Sequence, residues 1–369
     1  MKQPSQPVFA LVTGGGTGGH VYPALAVAQE LVRRGHGRST IHFVGAERGL
    51  EATAVPAAGF TIDLLPGRGI QRSLRLSALR ANIGALVGAC RAFGRAFRLV
   101  GQLKPRVVLG VGGFASLPCV VAARLRRVPA VVHEQNAAPG LANRIGVRFG
   151  ARAAVSFADT PLRKAVLTGN PIRPEIADVI RAPATPPLIT VFGGSLGARR
   201  LNDAALALYA RWRDRTDVAI VHVAGARDYQ RCNAQLLEQR IPSDRLHFEL
   251  RSYEEQMTRV YSAAAAVVCR AGAITIAELA VTGTPAVLVP LPNAPHDHQA
   301  RNAEALASLG AAVVVPDGEL DGERLDRELR RLLDDPALLA QMGRAGRTLA
   351  RPDAAARVAD MVEEAAHAA

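Results

Sequence analysis

The sequence lacks the residues on which several classes of protein depend. Its four cysteines stand far apart, with no Cys-x-x-Cys pair (Cys90, Cys119, Cys232 and Cys269). A disulfide scaffold and a structural zinc site are therefore excluded, and a reducing compartment is expected. No Asp-x-Asp triplet occurs. Because such carboxylates usually hold a nucleotide diphosphate through a divalent cation, we expect no metal and no other cofactor.

Long hydrophobic runs are also absent. The longest relevant stretch without a charge, residues 107–123, has 17 residues and contains three glycines and a proline. A helix needs ~20 apolar residues to cross a bilayer, so we predict a buried strand, a glycine turn and the start of a helix instead. The apolar stretch at residues 8–12 is too short for a signal peptide.

Acidic residues are missing from one long region. The chain has 45 basic and 32 acidic residues, a net charge of +13, yet no Asp or Glu occurs between Leu64 and His133. Twelve basic residues lie in that region and carry almost all of the net charge. Such a concentration predicts an anionic partner, either nucleic acid or an acidic membrane surface. Nucleic acid is disfavoured because stacking aromatics are few there (Phe93, Phe97 and Phe114).

Short apolar runs alternate with helical patterns along the chain. The continuous, β-branched runs predict strands that are buried on both faces, at residues 8–13, 41–44, 107–111, 130–133, 188–192, 219–223, 265–269 and 286–290. Strands that alternate with helices in this way predict an α/β fold with parallel sheets and right-handed crossovers.

Each half of the chain opens in the same way, with a strand, a glycine loop and a helix. The loops occupy residues 14–19 and 193–197, and the proline-rich stretch 171–187 between the halves has the composition of a linker. We therefore predict two Rossmann-like, doubly wound parallel-sheet domains that face each other across a cleft. The first is residues 1–170 and the second is residues 188–350. A last helix at 353–369 can pack on either of them.

Both glycine loops suit phosphate, because each exposes backbone N–H groups at the positive end of a helix dipole. The first also fits the dinucleotide-binding pattern, although the acid expected at the end of the second strand is displaced to Glu47. The second also fits the Gly-x-Ser-x-Gly pattern of serine hydrolases, with Ser195 as nucleophile and Asp297 and His298 downstream. Adjacent residues rarely form the two outer members of a triad, but both alternatives stay open.

Polar residues gather where predicted strands and helices meet. His20 starts the first helix, where the dipole favours the neutral imidazole that accepts a proton. The sequence His-Glu-Gln-Asn at 133–136 ends a strand, and Arg173 at the domain junction can bind a pyrophosphate bidentately. Glu278, one turn into a helix, can accept hydrogen bonds from a ribose diol. His296 and His298 are a weak metal signal without a third ligand.

Taken together, these motifs resemble the MurG family of N-acetylglucosaminyltransferases. They are Gly-Gly-Thr-Gly-Gly-His (15–20), Gly-Val-Gly-Gly-Phe (110–114), His-Glu-Gln-Asn (133–136), Gly-Asn-Pro-Ile-Arg (169–173), Gly-Gly-Ser-x-Gly-Ala (193–198), Cys-Arg-x-Gly-Ala (269–273) and Asp-His-Gln (297–299) with Asn302. The resemblance extends from residue 8 to about residue 360. It implies the GT-B fold and an inverting, metal-independent transfer of N-acetylglucosamine from UDP-N-acetylglucosamine to undecaprenyl-diphospho-N-acetylmuramoyl-pentapeptide.

The resemblance also implies roles for individual residues. It places the diphosphate on Ser195 and Arg173, the ribose on Glu278 and the sugar hydroxyls on Gln299. The implied substrate-binding residues are Thr17, Gly18, Gly19, Asn136, Arg173, Ser195, Tyr253, Glu254, Ala273, Ile274, Thr275, Glu278 and Gln299, and the implied catalytic residues are His20, Glu134 and Asn136. Two positions depart from the family, because Leu196 and Ala271 stand where Gln and Ser are usual. Each removes a polar group worth ~1 kcal/mol of hydrogen bonding.

This resemblance suggests a function for the basic region. Apolar residues (Ile70, Leu74, Leu76, Leu79, Ile83 and Leu86) are interspersed with Arg68, Arg72, Arg75 and Arg80. We predict that this part docks on anionic phospholipid at the cytoplasmic face of the plasma membrane, as a peripheral protein. The resemblance implies other cell-wall synthesis proteins as further partners. Transfer of a UDP-sugar to a different lipid acceptor is an alternative within the same fold.

Overall fold

The computed structural model describes residues 7–47, 49–66, 76–194 and 196–368, and for residues 76–87 it describes the backbone alone. The chain forms two compact units, of which the first contains residues 1–173 and 352–369 and the second contains residues 174–351. Several predicted residues lie outside the described residues or side chains: Ser195, Arg68, Ile70, Arg72, Leu74, Arg75, Leu76, Leu79, Arg80, Ile83 and Leu86.

Each unit is built on one parallel sheet. The strands of the first sheet are β1 (Ala10–Thr13), β2 (Ile41–Ala46), β3 (Thr61–Leu65), β4 (Val107–Gly110), β5 (Ala130–Glu134), β6 (Arg152–Val155) and β7 (Val166–Leu167). Those of the second are β8 (Leu188–Phe192), β9 (Ala219–Val223), β10 (His247–Arg251), β11 (Ala264–Cys269), β12 (Ala286–Leu288) and β13 (Ala312–Val314). The spatial orders are β3-β2-β1-β4-β5-β6-β7 and β10-β9-β8-β11-β12-β13. In both sheets the order reverses beside the first strand, which is where ligand crevices form in such folds.

Helices connect the strands. Those of the first unit are α1 (Gly18–Arg33), α2 (Glu51–Ala57), α3 (Leu76–Leu103), α4 (Ser116–Leu125) and α5 (Leu141–Arg148). Those of the second are α6 (Pro174–Ala177), α7 (Arg199–Trp212), α8 (Tyr229–Gln239), α9 (Met257–Ala263), α10 (Ala273–Thr282), α11 (His298–Ala307), α12 (Gly322–Leu333) and α13 (Pro336–Arg347). The last helix, α14 (Ala354–His367), belongs to the first unit. Short 3-10 turns lie at Arg38–Thr40, Pro295–Asp297 and Asp317–Glu319.

The last helix completes the core of the first unit. Its buried apolar residues, Val358 and Val362 among them, pack with those of α1, β1 and β4. At the surface, Arg34 at the end of α1 pairs with Asp360 and Glu363, at 2.6 Å from each. The opposite face of the same sheet is covered by α3 and α4. Because helices cover both faces of a parallel sheet, the prediction of doubly wound domains is confirmed.

The segment predicted as a linker is attached to the second unit over much of its length. Arg181 donates from Nη2 to the Ala264 carbonyl at 2.8 Å, and the Ala182 and Ala184 amides donate to the carbonyls of residues 262 and 263. None of the helices in the described part of the chain is long and apolar enough to span a membrane.

Candidate active site

The first glycine loop and the β4–α4 loop pack against each other at the carboxyl edge of the first sheet. His20 lies in the first turn of α1, and its amide donates to the Thr17 carbonyl at 3.0 Å. A Cβ at Gly112 would come within 3.1 Å of the His20 Nε2 atom, and one at Gly113 would overlap the Gly15 carbonyl. The absence of side chains at these two glycines therefore makes room for the imidazole and for the loop.

An acidic residue does contact this loop, but it is not the one that the sequence pattern suggested. Glu47 is exposed, whereas the Glu51 carboxylate is buried against the loop. Glu51 accepts from the Gly16 amide through Oε2 and from the Ala46 amide through Oε1, both at 2.8 Å. One of the N–H groups predicted to hold a phosphate is thus already bonded to a carboxylate of the chain itself.

Glu134 organises the loop that follows β5. Its carboxylate is 2% exposed and accepts from the amides of Asn136 at 3.0 Å and Gly140 at 2.9 Å. It also accepts from the side-chain amides of Asn136 at 3.3 Å and Asn143 at 2.8 Å. These contacts orient Asn136, which is half-buried, at the edge of the sheet. A direct catalytic role for Glu134 and Asn136 stays a prediction.

His133 connects two neighbouring loops. Its Nε2 lies 2.9 Å from the Gly169 carbonyl, and the Gln135 side chain donates to its Nδ1 at 3.2 Å. Burial lowers the pKa of His133 to about 4, so the ring is neutral near pH 7 and Nε2 carries its proton. The ring therefore connects β5 to the motif at 169–173 through a hydrogen bond.

Arg173, at the end of that motif, lies over an aromatic ring of the first unit. Its guanidinium carbon is 5.5 Å from the centre of the Tyr22 ring, within the range of a cation–π contact. In the same motif, Asn170 is 3% exposed, and neither polar atom of its side chain has a hydrogen-bond partner in the described part of the chain. A buried amide without partners is rare in folded proteins, and a bound water or a ligand would satisfy it. Sequence reasoning missed Tyr22 and Glu51, and it identified the motif that contains Asn170 without giving that residue a role.

The second glycine loop, at the carboxyl edge of the second sheet, is held by backbone contacts. The Gly197 amide donates to the Gly194 carbonyl at 2.9 Å, and a Cβ at Gly197 would overlap the Ala224 carbonyl. The loop leads into α7, whose first two residues are Arg199 and Arg200. Among the described residues of this loop (193, 194, 196 and 197), no backbone N–H group bonds to an acidic side chain. The positive end of α7 does have a carboxylate beside it, because Arg200 Nε lies 3.2 Å from Asp317 Oδ2.

The segment predicted for the nucleoside starts α10. Gly272 is the N-cap without a side-chain hydrogen bond, so the first N–H groups of the helix, at 273–275, depend on other acceptors. Glu278, further along α10, is 4% exposed and accepts from the Tyr261 hydroxyl at 2.7 Å. Asn302 of α11 donates to the Ala271 carbonyl at 3.2 Å and thereby fixes the turn before the helix.

Tyr253 and Glu254 line a cavity of about 710 Å³ beside β8, β9 and α9. The Tyr253 side chain is half exposed, at 50%. Glu254 pairs with Arg251 and accepts from the Gln256 amide at 2.8 Å. The size and partly apolar floor of the cavity suit a planar ring, as predicted for this segment.

Gln299 follows a strained loop. Three non-glycine residues between β12 and α11 have positive φ angles: Asn293, His296 and Asp297. Such strain is concentrated at functional sites, where the surrounding structure maintains it. Gln299 accepts from the Leu291 amide at 2.9 Å, which leaves its side-chain nitrogen as the group that can donate to a sugar hydroxyl.

The geometry fits the two alternative interpretations, a serine hydrolase and a dinucleotide-binding site, less well. In a serine hydrolase triad the acid orients the histidine, but the Nδ1 of His298 lies 2.9 Å from the Pro295 carbonyl instead. In a dinucleotide site the acid near the first loop binds ribose, but both oxygens of Glu51 accept backbone amides. The described residues contain no group of three or more His, Cys, Asp or Glu that could hold a metal ion.

Comparisons with known proteins agree with this architecture. Family models match two parts of the chain: glycosyltransferase family 28 N-terminal domain at residues 10–155, and glycosyltransferase family 28 C-terminal domain at residues 188–358. A protein of Stutzerimonas stutzeri (strain A1501), named UDP-N-acetylglucosamine--N-acetylmuramyl-(pentapeptide) pyrophosphoryl-undecaprenol N-acetylglucosamine transferase, is 40% identical over 97% of this chain and 98% of its own length. A protein of Desulforudis audaxviator (strain MP104C) with the same name is 38% identical over 96% of this chain and 98% of its own.

Solved structures show the same fold. Acinetobacter baumannii MurG has a TM-score of 0.77 and 30% identity, over 97% of this chain and 100% of that one. The calicheamicin glycosyltransferase CalG4, at 19% identity and a TM-score of 0.67 over 98% of each chain, shares the fold. Two parallel-sheet units with glycine loops at their carboxyl edges define a glycosyltransferase of the GT-B type. Within that class, the chain belongs to the MurG family.

Proposed function

We propose that the protein transfers N-acetylglucosamine from UDP-N-acetylglucosamine to the C4 hydroxyl of undecaprenyl-diphospho-N-acetylmuramoyl-pentapeptide. This reaction converts lipid I into lipid II in peptidoglycan synthesis. The observation that carries the proposal is the match, over nearly the whole chain, to relatives whose name states this transfer. The second glycine loop supports it, because this loop leads into the N-terminus of α7, where backbone N–H groups can bind a diphosphate.

We assign the donor diphosphate to the second loop. The N-terminus of α7, with Arg199 as its first residue, attracts an anion, while Arg200 beside it pairs with Asp317. The donor contacts that we propose on the second unit are Ser195 on the diphosphate, the N–H groups of Ala273, Ile274 and Thr275 and the Glu278 carboxylate on the ribose side, Tyr253 and Glu254 at the uracil, and Gln299 at the sugar. Arg173, the last residue of the first segment of the first unit, is proposed as a further contact of the diphosphate. The bond from the Tyr261 hydroxyl fixes the orientation of the Glu278 carboxylate.

We assign the acceptor and the proton transfer to the first loop, with Thr17, Gly18, Gly19 and Asn136 as substrate contacts. In the reaction, the acceptor C4 oxygen bonds to the anomeric carbon as the bond from that carbon to UDP breaks, with inversion. The hydroxyl proton passes to a base at His20. Arg173 and the end of α7 stabilise the negative charge on the departing UDP.

Calorimetric titration with UDP-N-acetylglucosamine in EDTA tests the donor site. We expect binding without metal, weakened about tenfold or more by Glu278→Ala and by Arg173→Ala, because each removes a charged hydrogen-bonding group. Transfer of labelled N-acetylglucosamine to a muramoyl-pentapeptide lipid then tests the acceptor. Donor binding without transfer to this lipid would contradict the proposed acceptor, and no binding at all would contradict the whole proposal.

We also propose that the first unit docks on an anionic phospholipid surface. In the described residues, Leu125 and Phe149 are 56% and 45% exposed at the ends of α4 and α5, and the Arg124 guanidinium links them by donating to the Phe149 carbonyl. Arg127 and Arg148 are exposed beside them. Exposed apolar side chains among arginines suit the headgroup region of an acidic leaflet, where each arginine adds ~1 kcal/mol.

Liposome flotation tests this docking. Leu125→Glu with Arg148→Glu is expected to lower binding to acidic vesicles about 20-fold or more, because it removes an apolar contact and reverses a charge. Leu237→Glu with Arg227→Glu, an exposed pair on the second unit, is the matched control and should bind as the unchanged protein does. Equal loss in both variants, or no preference for acidic over neutral vesicles, would contradict the docking surface.

A further inference from the structure

Glu51 is a buried carboxylate that the proposed reaction does not use. It is the first residue of α2 and 2% exposed. Neither Lys nor Arg pairs with it among the residues that the structure describes. Burial of an unpaired charge is costly unless hydrogen bonds compensate, and here the compensation comes from the Gly16 and Ala46 amides. The carboxylate is therefore tied to the conformation of these two loop segments.

Three glycines make the space that this carboxylate fills. A Cβ at Gly15, Gly45 or Gly49 would overlap the Glu51 side chain. The three positions come from different segments: the first glycine loop, the end of β2 and the turn before α2. A side chain at any of them would push the carboxylate away from its two amides. The three glycines therefore form a pocket, and the Glu51 side chain of the same protein fills it.

We propose that Glu51 is a positioning residue that locks the first glycine loop. Its carboxylate fixes residues 15–16 and the end of β2 beside the start of α1, where the acceptor and the base are assigned. The effect on catalysis rests on the proposed function.

The position of the proposed base, His20, also depends on the conformation of this loop. The Gly15 carbonyl lies against Gly113, and the neighbouring Gly112 lies against the His20 ring. A shift of residues 15–16 therefore moves the β4–α4 loop and, with it, the imidazole. Loss of the carboxylate should lower the rate of transfer and leave the donor site on the second unit unchanged.

Glu51→Gln and Glu51→Ala test the proposal, with Glu47→Ala as the matched control because Glu47 is exposed on the same turn. For both Glu51 variants we expect kcat to fall about tenfold or more while the Kd for UDP stays within about twofold. Sodium formate should restore a substantial part of kcat in Glu51→Ala, whose cavity admits a carboxylate, and none in Glu51→Gln, whose side chain fills it. Glu47→Ala should behave as the unchanged protein, with and without formate.

A kcat of Glu51→Gln equal to that of the unchanged protein would overturn the proposal. A parallel loss of UDP affinity, or a failure of formate in a folded Glu51→Ala, would overturn it as well. Amide exchange separates this result from failure of the proposed function. Even if the unchanged protein transferred no sugar, the Gly16 and Ala46 amides should exchange faster in Glu51→Gln, and formate should slow them in Glu51→Ala. Unchanged exchange rates would show that the carboxylate does not lock the loop.

Discussion

The two glycine loops occupy corresponding places in the two sheets, yet they differ in where their negative charge comes from. The first is bonded to the buried carboxylate of Glu51 through the Gly16 amide. The second is shaped by the close approach of Gly197 to residues 224–225 and leads into a helix that starts with two arginines. A carboxylate bonds directly to the backbone of the first loop, whereas the carboxylate near the second, Asp317, pairs with the arginine side chains of Arg200 and Arg270.

This difference shows that a glycine loop before a helix does not by itself define a phosphate site. The backbone supplies N–H groups in both cases, and the side chains nearby decide whether a ligand can use them. In the function proposed here, the first loop serves the acceptor and the proton transfer. The second loop, at the N-terminus of α7, binds the donor diphosphate in that proposal.

His20→Gln should have the largest effect and should separate the two tasks. We expect kcat to fall about 10²- to 10⁴-fold because a proton acceptor in the transition state is lost. The Kd for UDP should not change, because the donor contacts proposed here lie on other residues. Single-turnover kinetics and calorimetry on the same preparation measure both quantities. A loss of UDP affinity as large as the loss of kcat would show that catalysis and donor binding are not divided between the two loops.

A buried histidine in each unit should give both units the same pH dependence. Burial lowers the pKa of His133 and of His222 to about 4, whereas the unfolded chain titrates near 6.5. Between these values the unfolded state binds more protons, so stability is full above about pH 6.5 and falls as the pH drops toward 4. Each histidine accounts for about 3 kcal/mol of that loss.

Urea unfolding at pH 7 and pH 5 measures this dependence. His133→Gln should flatten the pH dependence of the first unit, and His222→Gln that of the second. Unchanged slopes in both variants would mean that other groups cause the loss of stability at low pH.

Gly197→Ala should disable the second loop. Its φ is +79° and its Cβ would overlap the Ala224 carbonyl, so the loop must move. We expect the Kd for UDP to rise about 100-fold. Gly194→Ala is the matched control, because its φ is +89° but a Cβ there meets no atom of the described residues within 4 Å. Backbone strain alone should raise its Kd about five- to tenfold. Equal effects would show that strain, not the contact with residue 224, shapes the loop.

Leu196→Glu should make the second loop resemble the first. The Leu196 side chain is 64% exposed beside the loop, so a carboxylate there adds a negative charge near the proposed diphosphate. We expect the Kd for UDP to rise about tenfold at low salt and less at high salt. Leu196→Gln, of nearly the same shape but neutral, should instead gain ~1 kcal/mol through an added hydrogen bond. Similar affinities for both variants would show that charge at this position is irrelevant.

Much of the fold was predictable from the sequence, because strands buried on both faces are continuous apolar runs. The predicted strands at 188–192 and 219–223 coincide with β8 and β9. Strands with polar or half-exposed sequences, such as β3 (Thr-Ile-Asp-Leu-Leu) and β10 (His-Phe-Glu-Leu-Arg), have no such run and were missed. Pairing with a neighbouring strand, not local pattern, determines their conformation.

The candidate site was predictable only where a motif is continuous in sequence. Glu51 reaches the first glycine loop across 35 residues, and Asn143 reaches Glu134 across nine. The only available signals were the glycines at 45 and 49, which leave space for a side chain that the sequence does not identify. Contacts of this kind depend on how β2 and α2 are placed by the sheet, which no local spacing reports.

The position of α14 has a consequence for synthesis of the chain. Six of its apolar residues complete the core of the first unit, although residues 174–351 separate them from the rest of that core. A ribosome needs roughly 10–40 s to translate those intervening residues. During that interval the nascent first unit exposes an apolar face that only the last residues can cover. The second unit contains no segment that is translated after residue 351, whereas the core of the first unit is completed only by residues 358–366.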